Sequence, residues 1–339
     1  LESPRLLFRH HSPAMMQSLT DLFINLQGWL FDSLVQPVLF ALGLASYVEM
    51  GFDGVEFVLL GVIELSIAYA LMRPLEAWWP AEKWAERRAV RVDVLYSVLN
   101  RLGIVPLAVF MLLAPPFIEL ESWLRFHDII PRQLEDWLPG LDYHPLASFA
   151  IYLVVLDFAE YWRHRLSHTF RWWWALHGIH HSQRQMSFWT DSRNHLLDDL
   201  IAGLWFACLS LLIGVPPGHF LGLLIALRLV ENLSHTNTRL RFGKVGEYLL
   251  VGPRYHRWHH ALDLPADRRF RYGCNFAILL PCWDILFGTL HLGEGLPPTG
   301  IHETSAEEIK ARDNFWAQQK LGLELLWKAL RRSEKSPST

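Results

Sequence analysis

Six apolar stretches, separated by polar links, leave this chain few ways to fold. They cover residues 33–48, 55–72, 92–117, 145–161, 196–213 and 220–230. Most are roughly 16–20 residues or somewhat shorter, near the minimum for a helix that crosses a hydrocarbon core. An open strand at that depth would leave backbone N–H and C=O groups unpaired, so the segments read as helices. Composition agrees: 51% of the 339 residues are hydrophobic and only 19% are charged, below the quarter typical of soluble domains. The expected fold class is all-α. It is a polytopic membrane bundle of about four to six transmembrane helices, carrying a cytoplasmic histidine-rich helical domain. The last two stretches, joined by GVPPGH, form a hairpin that either crosses or only dips in.

Orientation follows from basic residues beside the segment ends. The link after the second segment carries Arg73, Lys83, Arg87, Arg88 and Arg91, whereas residues 119–144 hold only Arg125 and Arg132 among several acids. Residues 73–91 are therefore expected in the cytoplasm. Residues 162–195 and 231–339 then share that side.

Four regions emerge. Residues 1–32 form an N-terminal segment; 1–14 precede Met15 and read as a non-native leader or an upstream extension. Residues 33–144 are an N-terminal transmembrane region. Residues 145–292 form a histidine-box region that includes the hairpin 196–230. Residues 293–339 are an amphipathic tail, where Ile309, Trp316, Leu321, Leu325 and Leu330 share an apolar face over 305–332. That helix either lies on the membrane or packs on the cytoplasmic domain. No cleaved signal peptide pattern is evident. A net charge of −3 and the absence of a Lys/Arg block argue against nucleic acid as a partner. Cys208, Cys274 and Cys282 make no CxxC or zinc-ribbon spacing, so any metal must be held by nitrogen or oxygen.

Histidines supply the nitrogen. HRLSH carries His164 and His168. HGIHH carries His177, His180 and His181. HRWHH carries His256, His259 and His260. Spacings of three and four put these rings on one helical face. Eight of the 17 histidines fall in these three short motifs, all on one predicted side. Neutral imidazole is the commonest metal ligand and suits Fe, Zn, Cu and Ni. Clustered rings without a metal would each need a separate partner, or would repel when protonated. Carboxylates near the boxes are candidates to orient the rings through the free ring nitrogen: Asp157, Glu160, Asp191, Asp198, Asp199 and Asp284. Asp157 and Glu160 lie late in an apolar helix, where a charge is costly. Asn232 is a candidate to hold a metal-bound water, or is a buried helix-end amide. Trp172, Trp173, Trp174, Phe188 and Trp189 line a lipid access route or, as the blander reading, form an interfacial belt.

The order HxxxH, HxxHH, apolar hairpin, HxxHH resembles the fatty acid hydroxylase/sterol desaturase superfamily of membrane di-iron oxygenases. So do NFAILLPCWDILFGTL at 275–290 and SFWTDSRNHLLDD at 187–199. The resemblance covers roughly residues 145–292. It implies two further ligands, His235 after the hairpin and His195 in SRNH, although Leu196 stands where the family usually has proline. It also implies two iron ions, for which zinc substitutes in purified protein, and O2 as co-substrate. An unactivated C–H bond of a sterol, fatty acyl or related lipid would then be hydroxylated or desaturated. Two electrons would come from an external ferredoxin, rubredoxin or cytochrome-type carrier and its reductase. Arg254, Arg257, Arg268, Arg269 and Arg271 could dock an acidic carrier or contact phospholipid headgroups. Two other readings compete. A membrane zinc hydrolase lacks support from an HExxH motif and needs fewer ligands. A metal transporter should place its ligands mid-bilayer at broken helices.

Overall fold

A computed structural model of the protein describes residues 13–333, except 85–86, 131, 215–216 and 303–304. Among the described residues the chain is helical and has no strand; one isolated antiparallel bridge joins Ala261 and Thr299. Two compact units are present, Leu1–Ile63 and Glu64–Thr339, divided within one long helix.

The first unit holds α1 (Pro13–Leu30), a π-helical turn (Phe31–Val35), α2 (Gln36–Ala41) and the start of α3 (Val48–Trp78). The apolar stretch 33–48 is therefore not one helix. Pro37 lacks the N–H that would continue the ladder, and the backbone turns left-handed at Gly43 (φ +71°). Gln27 Nε2 donates to the Phe52 carbonyl at 3.1 Å, and Phe31 meets Phe52 edge-on with centroids 5.4 Å apart.

The second unit continues with α4 (Arg88–Arg101), α5 (Ile104–Phe126), α6 (Leu134–Trp137), α7 (Pro145–Thr169) and α8 (Arg171–His181). Then come α9 (Leu196–Ile213), α10 (Pro217–His235), α11 (Gly243–Leu249), α12 (Pro253–His259) and α13 (Cys282–Leu286). The tail supplies α14 (Ala306–Ala311) and α15 (Phe315–Ser333). Four helices are long and apolar enough to cross a membrane: Ala45–Trp78, Ile104–Phe126, Pro145–Thr169 and Leu196–Ile213. The all-α membrane class expected from the sequence is borne out, and the protein is a multi-pass membrane protein. The sixth stretch, within α10, is not among those four.

The third apolar stretch departs from a single helix. It breaks at residues 102–103 into α4 and α5. Arg101, inside the stretch, is buried in ion pairs with Glu64 (2.6 Å) and Asp191, and Glu64 also meets Arg228 at 3.1 Å. A buried arginine needs such partners, because an unpaired charge in an apolar interior is prohibitively costly. The break turns Arg101 into the protein and leaves α5 apolar.

Three joints position the histidine boxes. Between α7 and α8 only Phe170 is extended, so box one ends α7 and box two ends α8. Tyr161 of α7, Val251 and Tyr255 beside and in α12, and Phe276 and Ala277 form a buried core joining box one to box three. Arg193, fully buried, bonds Asp93 (2.6 Å), the Ile179 carbonyl (3.1 Å) and the Arg312 carbonyl (3.1 Å). It thereby ties the end of α8 to α4 and to the tail. The tail is two helices, and α15 packs along α8.

Candidate metal centre

Nine of the ten histidines expected as ligands converge into two groups. His164, His168, His177, His181 and His259 form one; His180, His235, His256 and His260 form the other. Within each group, one ring nitrogen per residue lies within 4.8 Å of all the others. The groups adjoin: His181 and His260 stack with centroids 4.2 Å apart, and His180 and His181 are chain neighbours. All nine rings are buried.

Carbonyl and carboxylate oxygens decide which nitrogen of each ring carries the proton. A carbonyl only accepts, so a ring nitrogen bonded to one must be the N–H. His164 Nδ1 donates to the Phe276 carbonyl (2.8 Å), His168 Nδ1 to Tyr272 (3.1 Å) and His259 Nδ1 to Cys274 (2.7 Å). His177 Nδ1 donates to Asp198 (2.9 Å), which also accepts from Trp173 Nε1 (2.7 Å). In a neutral ring each of these leaves Nε2 as a bare lone pair. The Nε2 atoms of His168 and His177 are buried without any hydrogen-bond partner among the described residues.

The second group makes the same case more sharply. His180 Nδ1 donates to the Arg193 carbonyl (3.3 Å) and His235 Nδ1 to the Glu231 carbonyl (2.8 Å). Their Nε2 lone pairs then face each other at 3.3 Å with no proton between them. His256 Nε2 sits 3.0 Å from His235 Nε2 and 3.1 Å from His260 Nε2. The Nδ1 atoms of His256 and His260 are buried without a hydrogen-bond partner among the described residues, so these two tautomers are not fixed. The facing lone pairs of His180 and His235 and the orphaned Nε2 atoms of His168 and His177 are relieved by a cation, so the donor set fits a metal in each group. Only nitrogen is offered at these positions, which suits Fe, Zn, Cu or Ni rather than Ca or Mg.

Burial keeps the rings ready to bind. Desolvation, followed by the neighbouring imidazoles, holds His180, His181, His256 and His260 well below the usual imidazole range. Burial drops His259 to about 3. Aromatic walls close the site: Phe276 meets His164, His168 and His259 edge-on or tilted, and Trp174 packs on His168 and His181.

His195 does not join either group. Its Nδ1 accepts from Leu197 N (3.0 Å), capping α9, and its Nε2 donates to the Gln319 carbonyl (2.8 Å). Both ring nitrogens are thus committed to backbone. Among the proposed orienting groups, Asp198 alone bonds a box histidine. Asp284 acts one step out, accepting from Phe276 N (2.9 Å), Ala277 N (2.7 Å), Thr289 (2.6 Å) and Tyr255 (2.5 Å). Asp157 likewise accepts from Leu279 N, Leu280 N and Trp283 Nε1. Glu160 pairs with Arg163, and Asp199 bonds Asn194. Asp191 and the Asn232 amide bond each other (2.5 Å) and leave the rings alone. The interfacial-belt reading fails for Trp173 and Phe188, which are buried. Arg254 and Arg257 are held in internal pairs with Glu247 and Glu82, whereas Arg268, Arg269 and Arg271 are exposed.

The feature that sequence reading missed is the loop YGCNF, residues 272–276. Alternate carbonyls, of Tyr272, Cys274 and Phe276, receive three box histidines. The residues between them, Gly273 (φ +123°) and Asn275 (φ +56°), are left-handed, a conformation glycine and asparagine tolerate best. A Cβ on Gly273 would also sit 3.0 Å from the Phe276 ring and 3.2 Å from His168 Nδ1. Asn275 is pinned through its side chain to Tyr255 and His291. A glycine and an asparagine flanking one residue, 13 residues beyond the end of the third box, were the available signal.

Two outcomes are expected. In Asp198→Asn, the fixed tautomer of His177 is lost, and metal affinity should fall about 10–100-fold in chelator competition; unchanged affinity would remove Asp198 from the site. The second concerns pH. In the unfolded chain the five depressed histidines titrate at about 6.5, so below that pH the unfolded state binds more protons than the folded one. Stability of the metal-free protein should be fully present above about pH 6.5 and decline steadily as pH falls from there toward the folded values. Thermal melts in detergent from pH 8 to 4.5 check this; a melting temperature that rises on acidification would contradict it.

Residues 149–289 match the fatty acid hydroxylase family model. The chain is 32% identical over 162 residues to the ornithine lipid hydroxylase of Rhizobium tropici, covering 45% of this chain and 47% of that protein. It is 31% identical over 145 residues to the alkylglycerol monooxygenase of Homo sapiens, covering 43% of this chain and 31% of the relative. To a methylsterol monooxygenase of Arabidopsis thaliana it is 26% identical over 151 residues, 42% of this chain and 48% of the relative. The match therefore spans about half, or less, of the length of these relatives. No solved structure matches the chain. With the box order, the buried histidine groups and these likenesses together, the histidine-box region belongs to the fatty acid hydroxylase/sterol desaturase superfamily.

Proposed function

We propose that the chain is a membrane di-iron oxygenase that hydroxylates a C–H bond of a lipid. The observation that carries this reading is the pair of adjacent buried histidine groups, six of whose nine rings have their inward lone pair fixed by an acceptor on Nδ1, set in a region whose relatives are named for lipid hydroxylation. Nine inward rings exceed the three ligands usual for a single catalytic zinc, which favours two metals. Two irons, when bound, supply O2 activation and the power to attack an unactivated C–H bond. The overall balance is R–H + O2 + 2 e⁻ + 2 H⁺ → R–OH + H2O.

The chain's own residues do the positioning. The 272–276 carbonyls and Asp198 fix four rings of the first group; the Arg193 and Glu231 carbonyls fix two of the second. Phe276 and Trp174 exclude water from the ring edges, where stray solvent would divert the reaction. Buried neutral imidazoles keep their lone pairs at physiological pH. The named relatives act on an ornithine lipid, an alkylglycerol and a methylsterol, so the proposed substrate is a lipid with a polar head and a saturated carbon within reach. Their names favour hydroxylation over desaturation. The boxes face the cytoplasm in this reading, in line with the basic link from Arg73 to Arg91. Electrons come from an external one-electron carrier, with Arg268, Arg269 and Arg271 as its exposed cationic contact.

Lipid extracts of cells with and without the gene, grown under ¹⁸O₂, test this. A lipid found only with the gene and carrying one heavy oxygen is expected. A gene-dependent lipid that has lost two hydrogens and gained no label would mean desaturation. A gene-dependent change that persists without O2 would refute the oxygenase.

A further inference from the structure

We infer that α15 is a two-faced helix, one side clamping the histidine-box region and a second side seated in the headgroup layer of an anionic bilayer. At about 100° per residue, Phe315, Gln318, Gln319 and Gly322 share one side, and all are buried. Beside them, within a sector of about 60°, stand Trp316 (73% exposed), Leu323 (49%), Trp327 (58%) and Leu330 (46%). Lys320 and Arg331 border that stripe, and Lys328 lies beyond them; Arg331 sits over the Trp327 ring at 4.5 Å.

The inner side cannot roll. Tyr96 OH donates to Gln318 Oε1 (2.8 Å), and Gln319 Nε2 donates to Tyr96 (2.9 Å). His195 Nε2 donates to the Gln319 carbonyl (2.8 Å), and a Cβ on Gly322 would come within 2.3 Å of the His195 ring. The direction of the apolar stripe is therefore fixed by contacts on the adjoining side of the helix.

Its place in the fold says what covers it. Gln319 Oε1 accepts from Leu196 N (2.9 Å), and Leu196 is the first residue of a helix long and apolar enough to span the membrane. α15 thus crosses the mouth of a spanning helix, at the level where hydrocarbon gives way to headgroups. Two tryptophans three turns apart suit that level, and long cationic side chains reach from it to anionic headgroups. α8 packs against α15, so His177, His180 and His181 lie about one helix spacing, roughly 8–10 Å, from the layer that holds lipid.

Nitroxide labels on the full-length protein test this. Cys208 and Cys282 are exposed and are replaced by serine; buried Cys274 stays. Single variants Leu323→Cys, Trp327→Cys, Leu330→Cys and Lys328→Cys are labelled and placed in nanodiscs containing phosphatidylglycerol. At 323, 327 and 330 collisions with O2 should dominate over those with a water-soluble nickel chelate, and at 328 the reverse. Nickel-dominated labels along the stripe would show it facing water and overturn the inference. Exclusion of both quenchers, with spin–spin broadening that vanishes on dilution by unlabelled chain, would assign the stripe to a second copy and overturn it too. Lys320→Glu with Arg331→Glu should lower the O2 preference at 327 in anionic discs alone. An equal loss in phosphatidylcholine discs would overturn the part played by anionic headgroups.

Discussion

The hydrogen bond from a ring Nδ1 to a backbone carbonyl is the interaction on which the rest of the centre depends. An imidazole has two interchangeable nitrogens, and a ligand must present one of them bare. Tyr272, Cys274 and Phe276 make that choice for His168, His259 and His164. Arg193 and Glu231 make it for His180 and His235. Each such bond converts a flexible base into a directed lone pair before any metal arrives. The cost is a set of buried acceptors pointing at one another, which a cation relieves.

That arrangement has to be braced, because converging lone pairs push the rings apart. Asp284 and Asp157 brace it from beneath, by holding the backbone of 276–277 and 279–280. Arg193 braces it from the side, bonding Asp93 and the Ile179 carbonyl while its own carbonyl receives His180. The tail completes the frame through Gln319 and His195. Burying Asp157, Asp284, Arg193 and Gln319 among apolar helices is tolerable because each of them meets partners. Arg101, between Glu64 and Asp191, follows the same rule at the break between α4 and α5.

Much of this was legible in the sequence, and the limits have physical causes. Box histidines at spacings of three and four share a helical face whatever the fold, so their convergence could be read from spacing. His235 could be placed by family resemblance. His195 could not be judged alone, since its partner Gln319 lies 124 residues away in a helix whose packing the sequence left open. Asp198 followed from a carboxylate near the boxes, but Asp157 and Asp284 look the same in sequence and serve the loop instead. The ring-binding carbonyls of Tyr272, Cys274 and Phe276 are backbone groups, so the side chains of those three residues leave no signature of the role. Only Gly273 and Asn275, which permit the left-handed turns, hint at them. Segment ends failed where local backbone chemistry intervened, at Pro37, Gly43 and Gly103.

In the proposed function, two adjacent, all-imidazole groups each hold an iron. Iron X-ray absorption on protein purified from iron-supplied cells, with metal counted per chain, addresses it directly. Two irons per chain are expected, with a nitrogen/oxygen first shell that carries imidazole scattering and no sulfur. A single bound metal, or iron whose shell contains sulfur from Cys274 or another thiol, would contradict it.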